Sequence, residues 1–270
     1  DLREAGPQAG EDPQVRLVRA LLRAPSVRGT AQFEFQPFVP LAGQIAGQYE
    51  ARMALKPPKS RQGLLLQRCD WLPIARKLDM IAHADRHFLR GVIERVREKH
   101  VNGEDLRLYL PVAASSLFDP AFAPWLAAEF GAHAVPSHVV ALEFDAAEAR
   151  AELPRLRGAL EPVQRVGVRL ALNVGAADAA DLGKLLAIDA FGVVKFARAG
   201  DADAKPETAW EPWSKAIAEA RSLGKIVVAS GDAGMADIGV LLRFGVHYAQ
   251  GDALSGWLAE WDFDFAEAEL

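Results

Sequence analysis

The amino-acid sequence predicts an α/β barrel in which eight strands alternate with helices. Short apolar runs typical of buried strands recur along the chain, and helical stretches fall between most of them. Such alternation indicates parallel strands joined by helical crossovers, and eight strands that close on themselves form a (β/α)8 barrel. The 270 residues, half of them apolar, are enough for one barrel-sized domain.

The order of the predicted elements follows from the spacing of the apolar residues. Residues 1–12 are polar and resemble a linker, and apolar residues then recur at helical spacing from Val15 to Leu22. The predicted strands are 33–39, 48–55, 106–112, 138–144, 166–173, 190–196, 224–229 and 245–250. The predicted helices are 73–99, 120–130, 146–164, 178–187, 208–222 and 233–243. We therefore predict a linker and helix over 1–30 and one barrel domain over 31–270.

The connection between the first two predicted strands departs from a regular barrel. It is only the eight residues Pro40–Gly47, whereas a crossover between parallel strands needs about a dozen or more. The first strand is therefore predicted to run antiparallel to the second.

Composition narrows the class of protein. The net charge of −5 does not favour a nucleic-acid partner, which would require a basic face. The single cysteine, Cys69, excludes a disulfide framework and indicates a reducing, cytoplasmic location. No apolar run approaches 18 residues, so no membrane span is predicted. The chain starts at Asp1 rather than at Met, and we expect it to belong to a larger multidomain protein.

Polar residues at the predicted strand ends are candidates for a site, because these ends converge on one mouth of a barrel. The set is Glu50, Pro111, Glu143, Asn173, Lys195, Ser230 and Gln250. A two-metal hydrolytic site needs several carboxylates to hold ions about 3.5–4 Å apart, and Pro111 and Val174 offer no side-chain oxygen. We therefore favour Glu50 and Glu143 as paired, buried acids, and we predict no metal site.

Short motifs that follow one another along the chain resemble those of a known family. They are Phe35-Gln36-Pro37, Tyr49-Glu50-Ala51-Arg52, Trp71-Leu72-Pro73-Ile74-Ala75, Ser116-Leu117-Phe118-Asp119-Pro120, Leu142-Glu143-Phe144, Lys195, Val227-Val228-Ala229-Ser230-Gly231 and Gln250-Gly251. Their order and spacing over Ala31–Phe265 resemble the EAL domain, the cyclic di-GMP phosphodiesterase module. The resemblance implies the EAL fold, whose barrel also has an antiparallel first strand, and cyclic di-GMP as ligand.

The chain departs from this family at metal-ligand positions. The family's metal-binding Asn falls at Pro111, its Asp-Asp-Phe-Gly becomes Asn173-Val174-Gly175-Ala176, and its Glu of Ala-Glu-Gly becomes Ser230. The residues that remain of the family site are Glu50, Glu143, Lys195 and Gln250. The resemblance thus implies a degenerate phosphodiesterase, and we predict that the chain is not an enzyme.

Binding of the ligand is still expected. A cyclic dinucleotide needs a cation near its phosphates, stacking surfaces and acceptors for its guanine edges. The resemblance implies ligand contacts at Gln36 and, for a guanine, at Asp85, and we predict a further contact at Glu50. The family's phosphate-binding Arg, however, falls at Ala54. Glu50, Arg52 and Ala54 share one face of a strand. Arg52 therefore either supplies the missing cation or pairs with Glu50, and the sequence leaves both open.

Within the family, the chain resembles the degenerate EAL domains of FimX-type type IV pilus regulators. The lost acids and the Trp-Asp-Phe-Asp-Phe ending at 261–265 carry this resemblance. It implies a cyclic di-GMP receptor without cleavage or a required metal, and a PilZ-domain adaptor as partner in pilus or motility control. The alternatives are an interaction scaffold that no longer binds nucleotide and an active phosphodiesterase. The aromatic ending itself is interpreted as packing on the barrel wall or on the 15–22 helix rather than as a partner site.

Overall fold

A computed structural model describes residues 12–24, 29–41, 47–57, 65–99, 106–175, 182–200 and 203–266. Apart from Asp12, the predicted linker lies outside these residues. The chain forms two compact units. The first comprises the described residues of Asp1–Phe33 and Met53–Val92, and the second those of Glu34–Arg52 and Ile93–Leu270.

Nine strands form one sheet in the described part of the chain, and all eight predicted strands are among them. They are β1 (Ala31–Pro37), β2 (Val39–Pro40), β3 (Gln48–Leu55), β4 (Arg107–Pro111), β5 (Val140–Asp145), β6 (Arg169–Val174), β7 (Phe191–Ala197), β8 (Ile226–Ser230) and β9 (Tyr248–Ala249). The order is β1-β3-β4-β5-β6-β7-β8-β9-β2, with parallel pairing from β3 to β9. Because β1 and β2 are consecutive in the chain but end this order, the sheet is a nearly closed barrel.

The antiparallel direction of the first strand is confirmed by its backbone hydrogen bonds. Lys56 N donates to Thr30 O at 2.8 Å, and Phe38 N donates to Gln48 O at 2.7 Å. As the chain advances from residue 30 to residue 38, its partner recedes from 56 to 48. The first strand therefore runs antiparallel to β3, as the short connection between them predicts.

The first predicted strand differs from expectation because it is divided between two partners. β1 lies beside β3, whereas β2 pairs antiparallel with β9, with Val39 opposite Ala249. The division follows Pro37, which has no N–H to donate to a sheet ladder. This exchange of partners lets one segment close the barrel.

Ten α-helices are described, and three predicted helices are each divided in two. The helices are α1 (Pro13–Leu22), α2 (Arg68–Lys77), α3 (Ile81–Glu98), α4 (Phe122–His133), α5 (Ala146–Ala151), α6 (Leu153–Val166), α7 (Leu182–Leu186), α8 (Pro206–Trp210), α9 (Ser214–Ser222) and α10 (Ile238–Phe244). Asp79, at φ +53°, ends the predicted helix 73–99 after α2. Pro154 cannot continue α5 and stands in the first turn of α6. A 3-10 turn over Glu211–Trp213 separates α8 from α9.

None of these described helices combines the length and the low polarity needed to cross a membrane.

The first unit packs its helices through apolar residues and a few polar anchors. Leu22 of α1 is fully buried, and its carbonyl oxygen lies 2.6 Å from His83 Nε2 on α3. Trp71 Nε1 on α2 donates to Met53 O at 3.2 Å. Asp85, on α3, is also buried in this unit, at 1% exposure.

The second unit has a barrel interior filled by side chains from its strands. A buried cluster contains Phe38, Tyr109, Ala141, Ala171, Val193, Val228 and Tyr248. Tyr109 Oη donates to Gln48 Oε1 at 2.7 Å, and Gln48 Nε2 donates to Tyr248 Oη. These three buried polar side chains are thus paired with one another, and the interior is a packed core rather than a channel.

The loops after β8 and β9 touch at Gly251. A β-carbon on Gly251 would lie 2.2 Å from Ala233 O and 2.8 Å from Ala233 N. These neighbours are backbone atoms, which cannot rotate away as a flexible side chain can. Only glycine therefore fits at this contact.

The substitution Gly251→Ala is predicted to lower the free energy of unfolding by about 1–3 kcal/mol, because the added methyl group overpacks the two loops. Urea unfolding followed by circular dichroism measures this change. Gly256→Ala is the control, since a β-carbon there meets no atom within 4 Å. Equal effects of the two substitutions would contradict the prediction.

Candidate functional site

A cavity of about 290 Å³ lies at the carboxyl ends of the strands in the second unit. Five of the seven residues that the sequence places at strand ends line it. They are Glu50, Asn173, Lys195, Ser230 and Gln250. The convergence expected of a barrel is therefore present, and these side chains form one polar site.

At the centre of the site, one ammonium group lies between two carboxylates. Lys195 Nζ is 2.5 Å from Glu50 Oε2 and 2.9 Å from Glu143 Oε2. The side chains of Lys195 and Glu143 are 1% and 2% exposed. Asn173 Nδ2 donates to Glu143 Oε1 at 2.9 Å. The two strand-end acids are thus paired and largely buried, as the sequence favoured.

Burial and charge act in opposite directions on these groups. Burial alone would lower the pKa of Lys195, but the Glu143 and Glu50 carboxylates outweigh it and raise the pKa. Burial raises the pKa of Glu143, and the like charge of Glu50 adds to this against the attraction of Lys195. Lys195 therefore stays protonated, while burial and the charge of Glu50 disfavour ionisation of Glu143.

Amide side chains extend this centre toward the mouth of the cavity. Gln250 Nε2 donates to Glu50 Oε2 at 2.8 Å and to Gln36 Oε1 at 2.9 Å. Gln36 Nε2 in turn donates to Asp252 Oδ1 at 2.8 Å and to Ser255 O at 3.0 Å. A continuous hydrogen-bonded network therefore connects Asp252 at the rim with Lys195 in the interior.

Arg52 contacts Glu34 and Trp257 rather than Glu50, so one of the two possibilities that the sequence left open for Arg52 is wrong. Arg52 Nε donates to Glu34 Oε2 at 2.8 Å. Its guanidinium carbon lies 4.0 Å from the centroid of the Trp257 ring, and Trp257 lines the cavity. Glu50 pairs with Lys195 instead. Arg52 as a phosphate-binding cation stays a prediction.

The residues at the positions that depart from the family pattern are buried or make contacts within the protein. Val174 and Ala54 are fully buried, Pro111 pairs with Glu143 in the sheet, and Ser230 Oγ donates to Phe196 O at 3.3 Å. Asp85 lies on α3 in the first unit. The contact of Asp85 with a guanine stays a prediction.

Sequence reasoning did not assign Asp232 and Asp252 to the site, although both line the cavity. A signal was present, since each follows a predicted strand-end residue in the same short pattern: Ser230-Gly231-Asp232 and Gln250-Gly251-Asp252. Gly231 and Asp232 have φ values of +68° and +63°, which turn the chain sharply at the mouth.

The aromatic ending packs on the barrel wall, which is one of the two packing sites expected from the sequence. The ring of Trp261 lies 4.9 Å from that of Phe35, and the ring of Phe265 lies 5.7 Å from that of Tyr49. Trp257 differs from these because it lines the cavity.

The donor set does not fit a divalent metal centre. Lys195 holds the two strand-end carboxylates of Glu50 and Glu143, and its positive charge repels a second cation between them. Pro111 and Val174, at the ends of β4 and β6, offer no side-chain oxygen to an ion. Within the described ranges, no three His, Cys, Asp or Glu side chains are grouped to hold an ion.

The substitution Lys195→Met is predicted to lower the free energy of unfolding by about 3–5 kcal/mol at pH 7, because it leaves buried carboxylates without their cation. The double substitution Lys195→Met with Glu143→Gln is predicted to recover part of this loss, since it also removes a buried charge. Urea unfolding measures both, and no recovery in the double variant would contradict the assignment.

The loss in Lys195→Met is also predicted to depend on pH. The pKa of Glu143 is raised in the folded protein, so the folded state binds the extra proton and stability falls as pH rises through this window. Without Lys195 the pKa of Glu143 is expected to rise further, because Lys195 lowers it. The pH range over which the variant loses stability therefore becomes wider. The deficit of the variant is therefore largest near neutral pH and shrinks toward pH about 4.3, and a pH-independent deficit would contradict this.

Comparison with known proteins connects this site to a family. The family model described as "EAL domain" matches residues 18–256, while no curated protein matches the sequence. The FimX EAL domain from Pseudomonas aeruginosa bound to c-di-GMP superposes with a TM-score of 0.80 at 20% identity, over 94% of this chain and 100% of that one. The Xanthomonas citri FimX EAL domain in complex with c-diGMP gives 0.78 at 20% identity, over 93% and 97%.

A solved enzyme is also similar in fold. The PaMucR phosphodiesterase in its c-di-GMP complex gives a TM-score of 0.75 at 20% identity, over 91% of this chain and 97% of that one. At such identities the superpositions show the fold alone. The family model, however, covers most of the sequence, and the chain belongs to the EAL domain family.

Proposed function

We propose that this chain is a receptor for cyclic di-GMP that does not hydrolyse it. The observation that carries the proposal is the ammonium of Lys195 between the carboxylates of Glu50 and Glu143. These acids are neutralised within the protein, so no carboxylate pair is left to hold the ions of a two-metal hydrolysis. The cavity beside them keeps polar and aromatic groups that suit recognition.

The cavity groups match the parts of a cyclic dinucleotide. Trp257 offers an aromatic surface, and base stacking on such a surface contributes about 1–3 kcal/mol. Gln36 and Glu50, which line the cavity, offer hydrogen-bonding groups. The volume of about 290 Å³ is near the lower limit of small-molecule sites. We propose that one end of the ligand enters it and the rest follows the mouth.

The wider role follows the same resemblance. We propose that the receptor acts in the cytoplasm as part of a larger protein, and passes the ligand signal to a PilZ-domain adaptor in type IV pilus or twitching-motility control. The similarity in fold to two FimX EAL domains whose structures contain c-di-GMP supports this proposal.

A scaffold that binds no nucleotide is the second candidate, and the charge of the cavity favours it. Glu50, Asp232 and Asp252 line the cavity together with Lys195 as the cation, and the ammonium is already paired inside the protein. An anionic ligand therefore meets excess negative charge there unless its phosphates stay at the rim. The third candidate, an active phosphodiesterase, is supported by the PaMucR comparison but not by the paired acids.

Calorimetric titration with cyclic di-GMP, with and without Mg²⁺ or Mn²⁺, separates the three candidates when the mixtures are also analysed chromatographically. The receptor is expected to bind without metal and to release no linear product. Linear dinucleotide above the blank would support the phosphodiesterase. Absence of heat at about 50 µM protein, well above the micromolar affinities of ordinary receptors, would support the scaffold.

The substitution Arg52→Ala is predicted to weaken cyclic di-GMP binding about tenfold or more, because a charge-assisted hydrogen bond to phosphate is lost. Arg165→Ala removes an exposed arginine that pairs with Glu161 on α6 and serves as the control. Glu34→Gln keeps Arg52 but removes its ion pair, and should leave affinity equal or higher. Unchanged affinity in Arg52→Ala would overturn the role of Arg52.

A further inference from the structure

We infer that Asp232 and Asp252 recognise the guanine edges of the ligand and thereby select guanine over adenine. The inference rests on the proposed function, because it concerns the same cavity. It assigns a role to two aspartates that the sequence motifs did not place in the site.

The two aspartates are brought together by the contact between their loops. Asp232 follows β8, Asp252 follows β9, and both line the cavity. A β-carbon on Gly251 would lie only 3.0 Å from the carbonyl carbon of Asp232. The absence of a side chain at Gly251 therefore allows the backbones to touch and places two carboxylates at one mouth.

Each carboxylate keeps capacity for a ligand. Gln36 Nε2 binds Oδ1 of Asp252 at 2.8 Å, which orients the group and leaves Oδ2 as an acceptor. Asp232 is exposed and has φ +63°, a left-handed conformation that is less favourable for Asp than for Gly. The side chain of Asp232 therefore stands at a position where glycine would be more stable.

A third acceptor in the same cavity is without a donor. Gln250 is 3% exposed, and although its Nε2 donates twice, its Oε1 has no hydrogen-bond partner among the described residues. A buried acceptor left unpaired costs about 1–3 kcal/mol. A donor from a molecule bound in the cavity would pair this acceptor.

The three groups share one chemical preference, because all of them accept hydrogen bonds. Guanine presents two adjacent donors, N1–H and the 2-amino group, which one carboxylate can accept together. Adenine presents a single donor beside the lone pair of N1, which a carboxylate repels. The negative charge that opposes phosphate binding in this cavity therefore favours a guanine base.

Titrations of the wild type, Asp232→Gly and Asp252→Asn with cyclic di-GMP and cyclic di-AMP test this. Each variant is expected to bind cyclic di-GMP about tenfold or more weakly, while its affinity for cyclic di-AMP is equal or higher. Glycine tolerates the positive φ, so Asp232→Gly keeps the loop. Asp79→Gly is the matched control, because Asp79 also has a positive φ, +53°, and does not line the cavity.

The possible failures are distinguishable. If the wild type binds neither dinucleotide, the proposed function is wrong and this inference with it. If the wild type binds cyclic di-GMP but the preference over cyclic di-AMP is unchanged in both variants, this inference alone is overturned.

Discussion

The position of one ammonium group determines the arrangement of the whole mouth. Lys195 lies within ion-pair distance of Glu50 and Glu143, and burial makes all three charges dependent on one another, since an unpaired buried charge costs several kcal/mol. With the acids held there, Asn173 turns its amide toward Glu143 and Gln250 turns its amide toward Glu50. The positions of the site amides are therefore consequences of this single contact.

Closure of the barrel supplies the other half of the site. Gln36 lies on β1 and Gln250 follows β9, so the two amides meet only because the chain changes partner after Pro37 and β2 pairs with β9. Closure also brings the loop after β9 against the loop after β8 at Gly251. A rigid mouth with fixed acceptors is suited to the selective binding of a base.

The distribution of charge divides the site into two regions. In the interior, Lys195 is paired with Glu50 and Glu143. The cavity therefore presents mainly carboxylate and amide oxygens to a ligand. Near the rim, Arg52 stacks on Trp257 and pairs with Glu34, which places a guanidinium beside an aromatic surface. We propose that bases enter the acceptor-rich region and phosphates stay near the guanidinium, which reconciles an acidic cavity with an anionic ligand.

The strand positions, their alternation with helices and the convergence of their ends could be predicted from the sequence, because period and connection length are local properties of a chain. The division of the first strand between two partners could not, since it depends on closure of the sheet. The antiparallel direction of that strand could also be predicted, since eight residues are too few for a crossover. The pairing of the charges, in contrast, is visible only in the folded protein. Glu50 and Arg52 share a strand face, yet Glu50 binds Lys195, 145 residues away, and Arg52 binds Glu34. Ion pairing depends on distance through space and on burial, and neither is encoded in the periodicity of a strand.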